Sequence, residues 1–143
     1  MFPGTGATVP GSIFRMRAMV MRKIDKPWGH ELIWAETKDY VGKILHIEEG
    51  EQLSLQYHEV KEETLFCQSG RMELQFAAKE GDELETTILE PGQAFHVPTG
   101  MVHRMRALST CDIFEVSTPH LKDVVRLDDR YGRKTGDDAH RYD

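Results

Sequence analysis

GEQLSLQYHEVKEETLFCQSG, residues 50–70, is the stretch whose reading decides the fold. Leu53, Leu55 and Tyr57 alternate with Ser54, Gln56 and His58. In an extended strand alternate side chains share a face, so Gln56 and His58 point the same way, about 7 Å apart at roughly 3.4 Å per residue. Glu63 follows after a short polar turn, which lets a carboxylate come back toward them. Ser69-Gly70-Arg71 then makes a tight turn, and Met72, Leu74 and Phe76 alternate with Glu73 and Gln75 beyond it, so this pair reads as a hairpin. A second place of the same kind is GQAFHVPTGMVHRM, residues 92–105, where His103 follows Pro98 and Gly100.

Working outward, the same texture continues. Lys26-Pro27-Trp28-Gly29 is a turn. Residues 30–35, 40–47, 52–58, 64–68, 72–76, 83–89, 94–97, 102–108 and 112–117 read as strands, each closed by Gly, Pro or a charged turn. Residues 28–118 carry no helical period over three turns. The total of about nine or ten strands, spaced as sandwiches and barrels space them, predicts an all-β jelly-roll barrel. Its inward-facing positions can carry a site. Residues 1–22 read as a flexible leader, an added edge strand, or the product of an upstream start codon. Residues 23–127 read as the barrel and residues 128–143 as a short, densely charged tail, frayed from 137 onward.

A chain of 143 residues is long enough for one domain with a real core. The net charge of -6 and the lack of a basic block argue against nucleic acid as the main partner. No apolar run is long enough to span a membrane, and the N-terminus lacks the apolar core of a signal peptide, so a cytoplasmic protein is expected. Cys67 and Cys111 fit neither a CxxC pair nor a disulfide framework and read as small buried residues.

The two blocks spell Gly-x5-Gln-x-His-x4-Glu-x6-Gly and Gly-x5-Pro-x-Gly-x2-His. They resemble the two motifs of the cupin superfamily. In cupins the first motif normally has His where Gln56 stands, and the second ends in Asn where this chain has Ala107. The Gln-x-His form is similar to the cupin part of type II mannose-6-phosphate isomerases. Lys26-Pro27-Trp28-Gly29, the run LSLQYH at residues 53–58 and the run DVVRLDDRYGR at residues 123–133 resemble that family too.

The resemblance implies a double-stranded β-helix in which Gln56, His58, Glu63 and His103 hold one divalent metal. Zinc is the ion that it implies. Iron, manganese, cobalt and nickel also suit two imidazoles, a carboxylate and an amide oxygen. The implied substrate is a phosphorylated sugar, with Arg126, Arg130 and Arg133 the candidates for its phosphate, Arg126 foremost, and Lys61 and Arg104 behind them. His96, on the strand before Pro98, is a candidate pocket wall or hydrogen-bond partner. The implied assembly is a homodimer, to which Ile13, Phe14, Met16 and Met19 of the leader could contribute. The family segment after the first motif's ligands normally carries His-Trp where this chain has Thr64-Leu65, and the pair after the last histidine becomes Arg106-Ala107. No general base is assigned. Three functions fit these residues: a metal-dependent aldose–ketose isomerase acting on a sugar phosphate or nucleotide sugar, a non-catalytic metal- and small-molecule-binding cupin, and an Fe(II)-dependent dioxygenase.

Overall fold

The structure is a computed structural model that describes residue 18 and residues 20–143. The leader residues Ile13, Phe14, Met16 and Met19 lie outside the described residues. Eleven strands follow in order: β1 Arg22–Lys26, β2 Gly29–Glu36, β3 Val41–Ile47, β4 Leu55–Tyr57, β5 Glu63–Ser69, β6 Met72–Ala77, β7 Glu85–Leu89, β8 Ala94–Val97, β9 Val102–Ala107, β10 Cys111–Ser117 and β11 Val125–Asp128. They form a six-stranded sheet, β1-β2-β3-β10-β5-β8, and a five-stranded sheet, β11-β4-β9-β6-β7. Every pairing is antiparallel. This is the expected all-β jelly-roll. Among the described residues no helix is long and apolar enough to cross a membrane.

The alternation of side chains builds the core. Leu45 and Ile47 on β3, Leu65 and Cys67 on β5, Met72 and Leu74 on β6, Met105 and Ala107 on β9, and Cys111 and Ile113 on β10 point inward and are buried together. Trp28, from the turn before β2, joins the same cluster. Each such Leu or Ile stabilises the fold by about 1.5–3 kcal/mol through water removed from apolar surface. Trp34 points outward from β2, lies over Gly42 and remains half exposed.

Three segments differ from their sequence readings. Residues 52–58 give only the short β4, because Gln52 meets Arg106 in an isolated bridge and Leu53 N–H donates to Met105 O upstream of it. The barrel begins one residue earlier than expected, with β1 paired to β2 from Arg22 to Lys26. The tail does not fray. β11 pairs with β4, and a 3-10 helix, Ala139–Tyr142, folds back so that Tyr142 packs with Leu121 against Ile24, Ile33 and Val41.

Candidate metal centre

Two sheets supply the site. Gln56 is the middle residue of β4, and its Cα faces that of His103 on β9. His58 follows β4 directly, and Glu63 opens β5 opposite Ser117 of β10 and Val97 of β8. These positions lie inward, and His58, Glu63 and His103 are only 3%, 2% and 0% exposed. Their donor atoms all lie within 4.8 Å of one another. Nε2 of His103 is 3.0 Å from Glu63 Oε1, and Nε2 of His58 is 3.5 Å from the same oxygen.

Both imidazoles are oriented from behind by main-chain carbonyls. His58 Nδ1 donates to Asp123 O at 2.5 Å and His103 Nδ1 donates to Met101 O at 3.0 Å. A carbonyl can only accept, so each ring carries a proton on Nδ1 and turns Nε2 inward, where its lone pair is open to a cation when the ring is neutral. Both Nε2 atoms are buried without a hydrogen-bond partner, and Glu63 Oε2 faces the Lys61 ammonium. Two lone pairs and an anion converging in a buried space match the donor set of one divalent cation. The residues present therefore fit the metal that the fold implies.

The charge on Glu63 is built in. Burial alone would raise its pKa, but the Lys61 ammonium and the two imidazoles overcome burial and hold it well below the usual carboxylate range. Lys61 Nζ lies 3.0 Å from Glu63 Oε2 and 3.0 Å from Glu115 Oε2. Burial opposes its charge most strongly, yet Glu115 and Glu63 raise its pKa above the ordinary lysine value.

Beside the centre lies an internal cavity of about 60 Å³. Gln56, His58, Lys61 and Glu115 line it, and so do Lys26, Arg126 and Arg133 together with tail residues. The Gln56 amide oxygen accepts from Ser54 Oγ at 2.5 Å, which leaves it a second lone pair. Arg126 donates from one guanidinium nitrogen to the carbonyls of Lys134 and Asp137, while its Nε is buried without a partner. Burial lowers the Lys26 pKa to about 8, partly offset by Glu31.

The structure thus brings Gln56, His58, Lys61 and Arg126 to one cavity, and Glu63 and His103 adjoin it through His58, whose donor atom lies within 4.8 Å of theirs. Arg104 and His96 do not line it. Arg104 points to Asp128, whose carboxylate accepts at 2.5 Å, and His96 lies on the surface, half exposed, with Nε2 at 2.9 Å from Glu62. The reason is strand parity: Arg104 is one residue from the inward His103, and His96 is one residue from the inward Val97.

Sequence reasoning missed five residues. Lys43 and Glu115 are Cα partners on β3 and β10, and both face inward. Glu31 on β2 lies 3.4 Å from Lys43 Nζ. The signal for these three was strand alternation, since Lys43 shares a face with Leu45 and Ile47, and Glu115 with Ile113. Tyr142 donates to Glu31 Oε2 at 2.8 Å. Asp123 accepts from the backbone N–H groups of Glu59, Val60 and Lys61 at 3.0, 2.8 and 2.7 Å. Burial would raise the Asp123 pKa, but those three donors hold it below the ordinary value.

Residues 43–117, more than half of the chain, match the family model described as the cupin domain. This chain is a cupin. The cupin is similar to the xanthan biosynthesis protein XanB of Xanthomonas campestris pv. campestris, 29% identical over 124 residues that make up 83% of this chain and 25% of that protein. It therefore spans about a quarter of the length of this curated relative. Its fold is similar to KdgF from Halomonas sp., with a TM-score of 0.60 and 24% identity over 68% of this chain and 86% of that one. It is also similar to Bacillus subtilis oxalate decarboxylase, a protein with Mn(II) centres, with a TM-score of 0.64 and 20% identity over 73% of this chain and 29% of that one.

Proposed function

We propose that this cupin is a divalent-metal-dependent aldose–ketose isomerase acting on a sugar phosphate, with His58, Glu63, His103 and Gln56 as metal ligands. One observation carries the reading. Two bare Nε2 atoms and an anionic Glu63 converge beside a cavity that Lys26, Arg126 and Arg133 also line. Support comes also from the Gln-x-His motif and from the similarity to a xanthan biosynthesis protein.

A metal held there would supply polarisation of adjacent carbonyl and hydroxyl oxygens, which is the chemistry an aldose–ketose exchange needs. The rest falls to the chain. Asp123 O and Met101 O keep the His58 and His103 rings in the tautomer that presents Nε2. Lys61 keeps Glu63 anionic. Arg126, with an unpartnered Nε, and Lys26 present positive charge to a phosphate. Burial of His58, Lys61, Glu63 and His103 strengthens each of these interactions. Zinc is the ion we favour, from the borderline nitrogen and oxygen donors. A homodimer belongs to the same reading, supported by the exposed Trp34 and Val116 on the outside of the six-stranded sheet.

A second reading, a cupin that binds a metal and a sugar without turning it over, is favoured by a specific feature. The cavity carboxylates Glu31 and Glu115 each face a lysine, Lys43 and Lys61, so neither is an unpaired base. The two readings separate by NMR of the metal-loaded protein with mannose 6-phosphate and fructose 6-phosphate. Isomerisation predicts interconversion that disappears in His103→Ala. Binding of mannose 6-phosphate with no interconversion under zinc, manganese, cobalt or iron sinks the isomerase and leaves the binding protein.

A further inference from the structure

The cavity beside the metal centre, at about 60 Å³, is far smaller than the roughly 300–1,000 Å³ of ordinary small-molecule pockets. What limits it is the end of the chain. Gly136, Asp137, Ala139 and Tyr142 are part of its wall. The Tyr142 ring sits 4.9 Å from Lys26 Nζ and 5.1 Å from Lys43 Nζ, and its hydroxyl donates to Glu31. Tyr142 thus covers charges that line the same cavity as His58.

This segment is held differently from the strands of the barrel. Residues 134–143 make backbone hydrogen bonds only among themselves: Asp137 N–H to Lys134 O, Ala139 N–H to Gly136 O, Arg141 N–H to Asp138 O and Asp143 N–H to His140 O. No strand ladder ties them to the barrel. Docking rests on side chains: Arg126 to the carbonyls of Lys134 and Asp137, Arg141 to Asp25 O, Tyr142 to Glu31 and Lys122 to Asp143. Gly136 and Asp138 both have positive φ, 88° and 66°, and for Asp138 that conformation is strained. A segment with few backbone ties, held at its rim by side chains, belongs to the low-stability end of a fold.

We propose that residues 134–143 are a displaceable plug in the cavity, and that the anionic end of a ligand takes Arg126 from the carbonyls of Lys134 and Asp137. Those carbonyls stand where an anion's oxygens would, and Arg126 Nε, buried without a partner, supplies a further donor. Lys26 is freed at the same moment, because Tyr142 leaves its ammonium. The plug stands whatever chemistry the cavity performs; the anion exchange rests on the sugar-phosphate reading above.

Two measurements on the full-length protein test it. The first is the rate at which excess chelator withdraws zinc from wild type, Tyr142→Phe and Tyr142→Ala. Tyr142→Ala should release zinc about tenfold faster, because it loses both the ring contacts and a hydrogen bond to a carboxylate. Tyr142→Phe, which keeps the ring, should fall between. Equal rates in all three overturn the plug, and Tyr142→Phe keeps the test open if the alanine variant fails to fold. The second is amide hydrogen exchange of wild type with inorganic phosphate or mannose 6-phosphate. Residues 134–143, and with them the Arg126 amide that donates to Thr135 Oγ1, should lose protection while β9 keeps it. A gain of protection there overturns the displacement and makes the segment a cover that closes on its ligand. If neither anion binds wild type or Tyr142→Ala, the anion exchange and the sugar-phosphate reading fall together, and the zinc-release rates still decide the plug.

Discussion

Asp123 joins two functions that can be separated by experiment. Its carboxylate accepts three backbone N–H groups of the turn after His58, and its own carbonyl orients the His58 ring. Asp123→Ala removes all three side-chain bonds. A hydrogen bond to a charged group contributes about 1.5–3 kcal/mol, but Glu59 and Val60 are exposed, so water replaces two of the three donors' partners. The expected loss of stability is therefore about 2–4 kcal/mol, read from urea unfolding of the metal-free protein. The turn also sets the position of Asp123 O behind His58. Loss of such a supporting contact lowers metal affinity by about 10–100-fold, read by competition with a chromophoric chelator. Asp123→Asn, which keeps one oxygen, should lie between. If Asp123→Ala is destabilised while its metal affinity is unchanged, the side chain only ties the turn, and the account of how His58 is aimed is wrong.

Other outcomes follow from the same geometry. Glu31→Gln should cost about 3–5 kcal/mol at neutral pH, because it leaves the buried Lys43 without its nearest carboxylate. Burial would raise the Glu31 pKa, but Lys43 and Lys26 hold it below 4.5, so its contribution is fully present above that value and is lost as pH falls through the depressed one; the gap between wild type and Glu31→Gln in chemical denaturation should narrow only below about pH 4.5. Gly70→Ala should destabilise by about 2 kcal/mol or more in thermal unfolding, because φ is 77° there and a Cβ would come within 2.3 Å of Thr110 O. Burial pushes the Cys111 thiol up to about 12, and Cys67 is buried with its pKa raised by the same cause, so neither should react with a thiol reagent at pH 8 until the protein unfolds.

Much of the site could be read from the chain because its information is local. Gln56 and His58 share a strand face, and Glu63 lies one short turn away, so spacing allows them to come close and the resemblance implies that they do. His103 needed the pairing of β4 with β9, which the resemblance implied and the register Gln56↔His103 shows. The residues that escaped depend on contacts far apart in sequence or on a misread face. His58 meets Asp123 across 65 residues, and Tyr142 meets Glu31 across 111. No local pattern announces either contact, and a charged tail looks solvated until the barrel gives it buried charges to cover. Lys43 and Glu115 were legible in principle, since they sit on apolar inward faces; each is tolerated there because each faces an opposite charge. His96 and Arg104 went the other way, for a shift of one residue in a strand turns a side chain away from the pocket, His96 to the surface and Arg104 to Asp128.

The central claim is that His58, Glu63 and His103, with Gln56, hold one divalent ion. Elemental analysis of the purified protein, wild type beside His58→Ala and His103→Ala, tests it most directly. Each folded wild-type chain should carry one divalent ion and both variants should lose it, with the β-rich circular dichroism spectrum retained. Full metal content in both variants, or a wild-type protein that takes up no divalent ion after dialysis against zinc, would contradict it.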